Sequence, residues 1–390
     1  MQEIIKEEIE RKAKRILEKY RRGSLASQKY ARKFTKRTGL PSTSGATIRP
    51  PYWDYHPHFD PVYCIKHSKY LARVIWQKIQ AGTYSPVPAI QFQIPKPDGG
   101  TRDIMQFGIP DSAVSNIFHR RITARNSGIF SAYSFAYRRD KTIFEAVIHL
   151  SRMMKPSKSY ILQYDYRKYF DTIDHGYLNK LIKQRHFVVT KAEQSVIEAF
   201  LNHEFAIYPS WMTFHYERRT VGVPQGSSLS LFLSNIAAHE LDMELERLNG
   251  SFVRFADDVI AVAHSYGDAR NIELSFRRHC EKTGVKINFD KSPGIKLLSG
   301  NSAHDRRSFF IDKDDGDDLS PVEYVDFLGH RVSSEHIDLT EKAKRRIKKR
   351  ISRIINIHLI LYARRSPPSP INPDRLGAPP LRLGSSDLPE

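Results

Sequence analysis

The run of residues 252–263 constrains the fold of this chain more than any other part of its sequence. It reads Phe-Val-Arg-Phe-Ala-Asp-Asp-Val-Ile-Ala-Val-Ala, with Asp257 and Asp258 between two apolar stretches. The pattern predicts two strands, Ser251–Ala256 and Val259–Ala263, joined by a tight turn. Adjacent carboxylates at a hairpin tip repel each other, and stability alone would favour Asn-Gly or Asp-Gly there. The pair therefore indicates a site for divalent cations, which neutralise such carboxylates.

A third carboxylate follows another predicted strand. The apolar run Ser159–Tyr164 ends on Asp165, and an aromatic and basic segment continues from there to His175. Lying beside a hairpin tip with two more acids, Asp165 would complete a two-metal site for chemistry at phosphorus. Asp171 and Asp174 lie in the same segment, and turn or helix-cap roles are the favoured interpretation for them.

A loop rich in glycine lies between these two acidic segments. It reads Gly-Val-Pro-Gln-Gly-Ser-Ser-Leu-Ser from Gly222 to Ser230, ahead of a predicted long helix. Gly226 allows a ligand to approach the backbone closely, and Ser227 and Ser228 can cap the helix. Because a helix N-terminus favours phosphate, the loop is a candidate contact for a phosphorylated ligand.

The charge of the chain indicates a polyanionic partner. The chain has 62 Lys and Arg against 43 Asp and Glu, a formal net charge of +19. Nucleic acid is the first candidate for such a partner and an anionic membrane surface the second. Residues 1–40 carry 13 basic residues against 5 Glu, and residues 341–365 carry 10 against one. Both segments have apolar residues at helical spacing, which predicts two basic amphipathic helices.

The cysteine content and the apolar runs of the sequence indicate in which cellular compartment the protein is found. Cys64 and Cys280 are the two cysteines, too few for a disulfide framework or a Cys-rich zinc module. The N-terminus has no apolar signal core, and the best apolar run, Ile354–Ala363, is far shorter than the ~20 residues of a membrane span. We therefore expect a soluble cytoplasmic protein with no membrane partner.

The rest of the chain alternates predicted helices and strands. Prolines in residues 40–60 predict a linker or extended arm, and residues 366–390 a flexible tail. The acidic run 312–318 is expected to be a solvated loop, because Ile311 and Lys313 would occupy two ligand positions of a calcium loop. The other predicted elements are helices at Tyr63–Gln80, Ile143–Met153 (with a capping box of Thr142 and Glu145), Tyr177–Lys183, Lys191–Leu201, Ser230–Leu248 and Ser275–Thr283, and strands at Ala89–Ile94 and Thr101–Met105.

The order of these motifs resembles the palm of a reverse transcriptase. A strand ending on Asp165, then Pro224-Gln225-Gly226, then Phe255-Ala256-Asp257-Asp258 follow one another as in that family. More narrowly, the chain resembles bacterial enzymes akin to group II intron, retron and defence-associated reverse transcriptases. The other matching segments are Ile94–Asp103, Phe107–Pro110, Ser134–Arg138, Gly284–Lys291 and Phe327–His330.

The resemblance implies an α+β fold, a right-hand polymerase with fingers, a palm of antiparallel sheet with helices, and a small helical thumb. The domains that it implies are a basic N-terminal helix and arm (1–60), fingers (61–158), a palm (159–334) with a fingers insertion at about 176–220, a thumb helix (335–365) and the tail.

The resemblance also implies a role for each matching residue. Asp165 and Asp257 would bind both of two Mg²⁺ ions, which Mn²⁺ can replace, with Asp258 in support and the carbonyl of Tyr166 as a further ligand. Phe170 matches the steric gate that excludes a 2′-hydroxyl. The other residues with implied roles are Lys96, Arg102 and Lys291 at the triphosphate, Gln225 and Gly226 at the template and nascent pair, and Phe327, Leu328, Gly329 and His330 as a primer grip.

The function implied is RNA-directed DNA synthesis from dNTPs. Phe255-Ala256 replaces the Tyr-Ala of many relatives, Ser230-Leu231 replaces their Ser-Pro, and no Cys/His endonuclease module is evident. These departures favour a stand-alone enzyme that copies a dedicated non-coding RNA in bacterial phage defence. A domesticated or diversity-generating retroelement enzyme, a template-independent DNA polymerase, a metal nuclease and a non-enzymatic RNA-binding scaffold are the alternatives. Template identity, priming, oligomeric state and any protein partner stay open.

Overall fold

The computed structural model describes residues 1–42, 49–96, 99–155, 159–184, 187–208, 215–248, 251–288, 292, 294–298 and 321–362. The chain forms two compact units. The first contains residues 1–117 and 203–218 and the described part of 342–390, and the second contains 118–202 and 219–341. Lys291, the acidic run 312–318, Pro97 and Asp98 of the predicted turn, and the tail 366–390 lie outside the described residues.

Helices and strands both contribute to each unit, so the predicted α+β class is confirmed. The helices are α1 (Gln2–Thr38), α2 (Pro61–Lys66), α3 (Ser68–Gln80), α4 (Ile109–Asn126), α5 (Ile143–Met153), α6 (Tyr169–Thr172), α7 (His175–Lys183), α8 (Lys191–Leu201), α9 (Ser228–Arg247), α10 (Tyr266–Thr283) and α11 (Glu341–Tyr362).

Among the described residues, the strands form four sheets. They are β1 (Ala89–Pro95), β2 (Thr101–Gln106), β3 (Ser159–Tyr164), β4 (Tyr166–Arg167), β5 (Glu204–Ile207), β6 (Glu217–Arg218), β7 (Ser251–Phe255), β8 (Asp258–Ala263), β9 (Lys286–Ile287), β10 (Ile295–Leu298), β11 (Pro321–Val322), β12 (Val325–Phe327), β13 (His330–Val332) and β14 (Ile337–Leu339).

The first unit joins the long basic helix to a small sheet. The helix α1 packs against α2 and α3 and buries Ile5, Ile9 and Ala13, a stripe that the amphipathic pattern predicts. The sheet has the order β2-β1-β5-β6. The C-terminal turn of α11 packs on α1 through Ile360 and Tyr30.

Two predictions for the first unit were wrong. Residues 40–60 are not simply a linker, because Pro51–Asp54 and Pro57–Phe59 form 3₁₀ turns that bury Trp53 and Phe59. Burial of two aromatic rings outweighs the local preference of the prolines for an open chain. The predicted helix Tyr63–Gln80 is two helices, since the backbone of His67 leaves the helical region between α2 and α3.

The second unit is organised around the five-stranded sheet β11-β10-β3-β8-β7. The strand β3 pairs antiparallel with β10 on one side and β8 on the other, and β7 and β8 form the predicted hairpin. Helix α5 packs on β7, and α10 packs on β3 and β8. Five of the six residues of β8 are buried, and the sixth is Asp258. The sheet therefore has helices to cover it and one acidic end.

Helix limits in the second unit follow their caps. The capping box of Thr142 and Glu145 is confirmed, and Thr190 and Glu193 form a second one. Helix α10 begins nine residues before the predicted Ser275, because Ser265 caps it by accepting the N–H of Asp268.

The sequence analysis made no prediction for helix α4, although its buried residues Ala113, Val114 and Ile117 recur at helical spacing. Among the described residues, no helix is long and apolar enough to cross a membrane.

Candidate active site

Strand register brings the three predicted metal-binding acids to one end of the central sheet. In the antiparallel pair of β3 and β8, Tyr164 lies opposite Val259. Asp165 directly follows Tyr164 and Asp258 directly precedes Val259, so both acids adjoin the same end of this strand pair. In the hairpin of β7 and β8, Phe255 pairs with Asp258, so Ala256 and Asp257 form the two-residue turn. All three carboxylates are half-buried.

The turn that carries Asp257 has a strained backbone. Ala256 has a φ of 59°, in the left-handed region that costs a non-glycine residue about 1–2 kcal/mol. The residue is buried, and its carbonyl oxygen accepts a hydrogen bond from Arg254 Nη1 at 3.1 Å. The hydrogen bond and the burial of Ala256 stabilise this strained residue, which directly precedes Asp257 in the turn.

Arg254 anchors this turn to the protein interior. Its side chain is 1 % exposed, and Nε and Nη2 donate to the two carboxylate oxygens of Asp242 on α9 at 2.7 and 2.5 Å. Nη1 also donates to Asn235 Oδ1, and Nη2 donates to Ser134 Oγ. Burial raises the pKa of Asp242, and the guanidinium opposes that rise. Sequence reasoning missed Arg254, although a charged residue in the middle of an apolar strand was the available signal.

Asp165 is held by hydrogen bonds to two residues that follow α10, Asn288 and Ser292. Its backbone N–H donates to Ser292 Oγ at 2.9 Å, and its carbonyl accepts the N–H of Asn288 at 2.8 Å. Asn288 Nδ2 also donates to the Asp165 carboxylate at 3.3 Å. Pairing of Tyr166 with Ile287 continues the contact. Asn288 and Ser292 are site residues that the sequence analysis did not identify.

The predicted gate residue lies just beyond, on a single helical turn. Phe170 is half-buried on α6, which begins after Lys168 in a left-handed conformation. The neighbouring Tyr169 is buried and donates from its hydroxyl to the carbonyl of Ser234 on α9 at 3.0 Å. Asp174 caps α7 by accepting the N–H of Tyr177 at 2.6 Å, as predicted.

The glycine-rich loop folds against the gate segment. The N–H of Val223 donates to the carbonyl of Phe170 at 2.6 Å, and Gln225 Nε2 donates to the carboxylate of Asp171 at 3.2 Å. The loop joins α9 differently from the prediction. Ser227 stands at the N-cap without a side-chain capping bond, and Ser230 Oγ instead donates to the carbonyl of Pro224 at 2.6 Å. The helix therefore begins at Ser228, and the loop is closed onto its first turn.

The predicted primer grip is a tight hairpin. Phe327 ends β12, His330 begins β13, and the two central residues Leu328 and Gly329 have φ angles of 49° and 80°. Positive φ at both central residues is the geometry of a type I′ turn, which suits the twist of paired strands. Phe327 is buried in the core beside residues of α5. His330 Nδ1 lies 3.1 Å from the carbonyl of Leu328.

Lys96 and Arg102, the predicted triphosphate contacts, lie in the first unit. They belong to the hairpin of β1 and β2, where Arg102 pairs with Ile94. Arg102 is exposed, and the N–H of Lys96 donates to the carbonyl of Gly100 at 2.6 Å. Lys96 is half-buried.

The donor set at the acidic end of the sheet suits magnesium by its chemistry. Carboxylates of three aspartates and the carbonyl of Tyr166 are hard oxygen ligands. Within the described ranges, no group of three or more His, Cys, Asp or Glu side chains is arranged to hold a metal ion. Magnesium does not require such a cage, because it usually takes one or two carboxylates and completes its shell with water and substrate phosphate.

Comparison with known proteins identifies the family. The sequence model described as reverse transcriptase (RNA-dependent DNA polymerase) matches residues 94–332. The COX1/OXI3 intron 2 protein of Saccharomyces cerevisiae is 25 % identical over 267 residues, covering 54 % of this chain and 30 % of that protein. Protein YkfC of Escherichia coli is 23 % identical over 185 residues, covering 44 % and 45 %. The chain thus spans less than half the length of these relatives.

Solved telomerase structures are also similar to this chain. That of Candida tropicalis, truncated from the C-terminal domain, has a TM-score of 0.44 and 13 % identity, covering 70 % of this chain and 60 % of that chain. That of Candida albicans, in complex with a fragment of telomeric RNA, has a TM-score of 0.46 and 11 % identity, covering 76 % and 55 %. Because the family match runs from the end of β1 to the end of β13 and includes the whole acidic sheet end, this chain belongs to the reverse transcriptase (RNA-dependent DNA polymerase) family, with its right-hand α+β fold.

Proposed function

We propose that this protein is an RNA-directed DNA polymerase that extends a primer 3′-hydroxyl by nucleotidyl transfer at a two-metal site. The observation that carries the proposal is the pairing of β3, β7 and β8, which brings Asp165, Asp257 and Asp258 to one end of a sheet. In a member of the reverse transcriptase family, that arrangement has a direct use in chemistry at phosphorus.

The proposed metal ligands are the carboxylates of Asp165 and Asp257, supported by Asp258 and the carbonyl of Tyr166. When bound, two Mg²⁺ ions, or Mn²⁺ in their place, would activate the attacking hydroxyl and stabilise the leaving pyrophosphate. The protein supplies their placement. Arg254 fixes the turn that presents Asp257, while Asn288 and Ser292 fix the backbone of Asp165.

Nucleotide and primer contacts complete the proposal. The ring of Phe170 would crowd a 2′-hydroxyl and favour dNTPs, and Gln225 and Gly226 would contact the template and the nascent base pair. Lys96, Arg102 and Lys291 would contact the triphosphate by charge-assisted hydrogen bonds. The turn Phe327–His330 would place the primer end, and its rigid hairpin supports that role.

We further propose that the enzyme copies a dedicated non-coding RNA in bacterial phage defence, in the cytoplasm. The support for RNA binding is charge: α1 and α11 carry most of the basic excess, and α11 is exposed along almost its whole length. Such surfaces hold structured RNA by its phosphates. In this layout α1 is an RNA-binding appendage, residues 61–158 and 159–334 are fingers and palm, and α11 is the thumb.

A retroelement-derived enzyme outside defence is the alternative, and the intron-protein relative favours it. Sequencing of RNA that copurifies with the protein tests whether the enzyme has a dedicated template. One enriched non-coding RNA supports the dedicated template, whereas a random sample of transcripts contradicts it.

The test of the polymerase function is primer extension by purified protein with Mg²⁺ and labelled dNTPs. We expect wild-type protein to extend a primed RNA, and Asp257→Asn to fold normally yet extend nothing. The matched control is Glu281→Gln, which removes one carboxylate charge from an exposed position on α10. A folded Asp257→Asn protein that still extends primers would overturn the proposal, and product without template would favour template-independent synthesis.

A further inference from the structure

The backbone of the glycine-rich loop is joined to the gate segment by hydrogen bonds over several residues. The N–H of Val223 donates to the carbonyl of Phe170 at 2.6 Å, and the N–H of Gly222 donates to the carbonyl of Ile173 at 2.9 Å. The Nε2 atom of His175 lies 2.7 Å from the carbonyl of Gly222. The two segments are about 50 residues apart in sequence, so these bonds are tertiary contacts and not local turns.

Direct backbone contact reinforces this pairing. Gly222 has a φ of +76°, and a Cβ added there would lie 2.6 Å from the carbonyl carbon and oxygen of Asp171. No side chain separates the loop from the gate segment at this point. A shift of one backbone therefore displaces the other.

Asp171 adds a side-chain connection in this pairing that reaches Gln225 of the proposed nucleotide site. Its Oδ2 atom accepts from Gln225 Nε2 at 3.2 Å, and its Oδ1 atom lies 4.0 Å from Arg219 Nη1. The side chains of Asp171 and Arg219 are 24 % and 11 % exposed, so the three groups interact with limited access to water. Asp171 is adjacent to Phe170 in the chain, and its carboxylate thus connects the gate residue to the template-contacting residue.

The gate needs such external support. Phe170 lies on α6, a helix of four residues, and a single turn of helix is not stable by itself. The loop on the other side contains Gly222 and Gly226, both with positive φ, and glycine gives a free loop wide conformational freedom. To exclude the 2′-hydroxyl of an rNTP, the Phe170 ring must keep its position within a fraction of an ångström. If the ring could move aside, the pocket would accommodate the extra hydroxyl.

We propose that Asp171 is a positioning residue that sets sugar selectivity, by holding Gln225 and the glycine-rich loop in fixed register with Phe170. This inference rests on the proposed polymerase function and on the gate role of Phe170. Asp171 does not touch the substrate in this scheme. Its carboxylate orients Gln225 and Arg219, and loss of it lets the gate segment and the loop separate.

The test compares Asp171→Ala with wild type in single-nucleotide extension of one primed RNA. The measured quantity is the ratio of kcat/KM for an rNTP to that for the matching dNTP. We expect the ratio to rise about three- to tenfold, as fits loss of one charge-assisted hydrogen bond. Phe170→Ala sets the upper limit of the change. Asp171→Asn keeps an oxygen that Gln225 can bond, so its ratio should stay closer to wild type.

Asp174→Ala is the matched control. It removes an acid three residues away whose carboxylate caps α7 by accepting the N–H of Tyr177, whereas the bonds to Gln225 and Arg219 belong to Asp171. We expect this variant to lose thermal stability with an unchanged selectivity ratio. Gln225→Ala should reproduce the Asp171→Ala ratio, and the double variant should add little to either, because both changes break the same bond.

Hydrogen exchange gives a second measurement that needs no catalysis. In Asp171→Ala, the amides of Gly222 and Val223 should exchange faster than in wild type, while Asp174→Ala should leave them protected. An unchanged ratio and unchanged exchange in Asp171→Ala, beside a raised ratio in Phe170→Ala, would overturn the inference and leave the polymerase function intact. Complete loss of extension in a folded Asp171→Asn protein would also overturn it, since that result identifies a direct catalytic role. A wild-type protein that extends no primer would instead contradict the proposed function itself.

Discussion

Arg254 and Asp242 form a fully buried, two-bond ion pair directly behind the turn that carries Asp257. Their side chains are 1 % and 0 % exposed, and the N···O distances are 2.7 and 2.5 Å. The remaining Nη hydrogens of Arg254 reach Asn235, Ser134 and the carbonyl of Ala256. All five guanidinium donors are therefore used, and one of them supports the strained residue of the acidic turn.

Substitution of this buried arginine should lower the free energy of unfolding much more than substitution of a surface arginine. We expect Arg254→Met to lower the free energy of unfolding by about 3–5 kcal/mol, because Asp242 stays buried without its partner. Arg277→Met is the matched control; its pair with Glu273 is solvent-exposed on the arginine side, and its loss should cost less than about 1 kcal/mol. Urea unfolding measures both, and equal losses would contradict the role given to burial.

Stability and catalysis can be separated at this pair. In the double variant Arg254→Met/Asp242→Leu, no charge stays buried, so much of the lost stability should return. Primer extension should not return with it, because the carbonyl of Ala256 still lacks its donor. Recovery of wild-type kcat in the double variant would show that Arg254 acts on stability alone.

The close approach of Gly222 to Asp171 predicts an unusual cost for a small substitution. Gly222→Ala places a methyl group 2.6 Å from backbone atoms, and we expect both stability and extension activity to fall severely. Gly82→Ala is the control, since Gly82 has a similar φ of +68° with nothing within 4 Å of the added carbon. That control should lose only about 1–2 kcal/mol, the cost of the left-handed backbone. Thermal unfolding of the two variants compares these costs directly.

Magnesium should stabilise the folded protein through the acidic sheet end. We expect the unfolding temperature of wild type to rise on the order of 1–3 °C between EDTA and millimolar Mg²⁺, since a ligand that binds the folded state stabilises it. Asp257→Asn should lose this increase and should be at least as stable as wild type in EDTA, because one repelling carboxylate is gone. An equal increase in the variant would place the bound metal elsewhere.

The burial of Asp111 predicts that the stability of the first unit depends on pH. It is buried in the first turn of α4, where it accepts bonds from the Tyr84 hydroxyl at 2.8 Å and the N–H of Val87 at 3.3 Å. Burial raises the pKa of its carboxyl from near 3.8 to about 7, although both hydrogen bonds oppose the rise. The folded state therefore holds a proton that the unfolded state releases.

The sign of the effect follows from that difference. The stabilising contribution of protonated Asp111 is complete below about pH 4 and is lost as the pH rises through about 7. Relative to Asp111→Asn, wild type should lose on the order of 4 kcal/mol of unfolding free energy across this window. Urea unfolding of both proteins at pH 4, 5.5 and 7 measures it. A constant difference between the two proteins would contradict the raised pKa.

Sequence pattern alone located much of the second unit. The hairpin of β7 and β8, the strand that ends on Asp165 and the capping box at Thr142 were predicted from neighbouring residues, and the structure confirms each. Local patterns succeed here because strand alternation and helix caps depend on residues a few positions apart. The family match agrees with the order of motifs in the sequence.

Tertiary structure decided the support of the site. The bonds of Arg254 to Asp242 and Ser134 span 12 and 120 residues, and the bond of Gln225 to Asp171 spans 54. The burial of Trp53 and Phe59 also overrode a proline pattern that indicated an open arm. The sequence thus determined which residues carry the acids and which segments form strands, because those follow from local periodicity. Only the folded structure determined what holds the acids in place, because the choice of a partner for a buried charge depends on packing between distant segments.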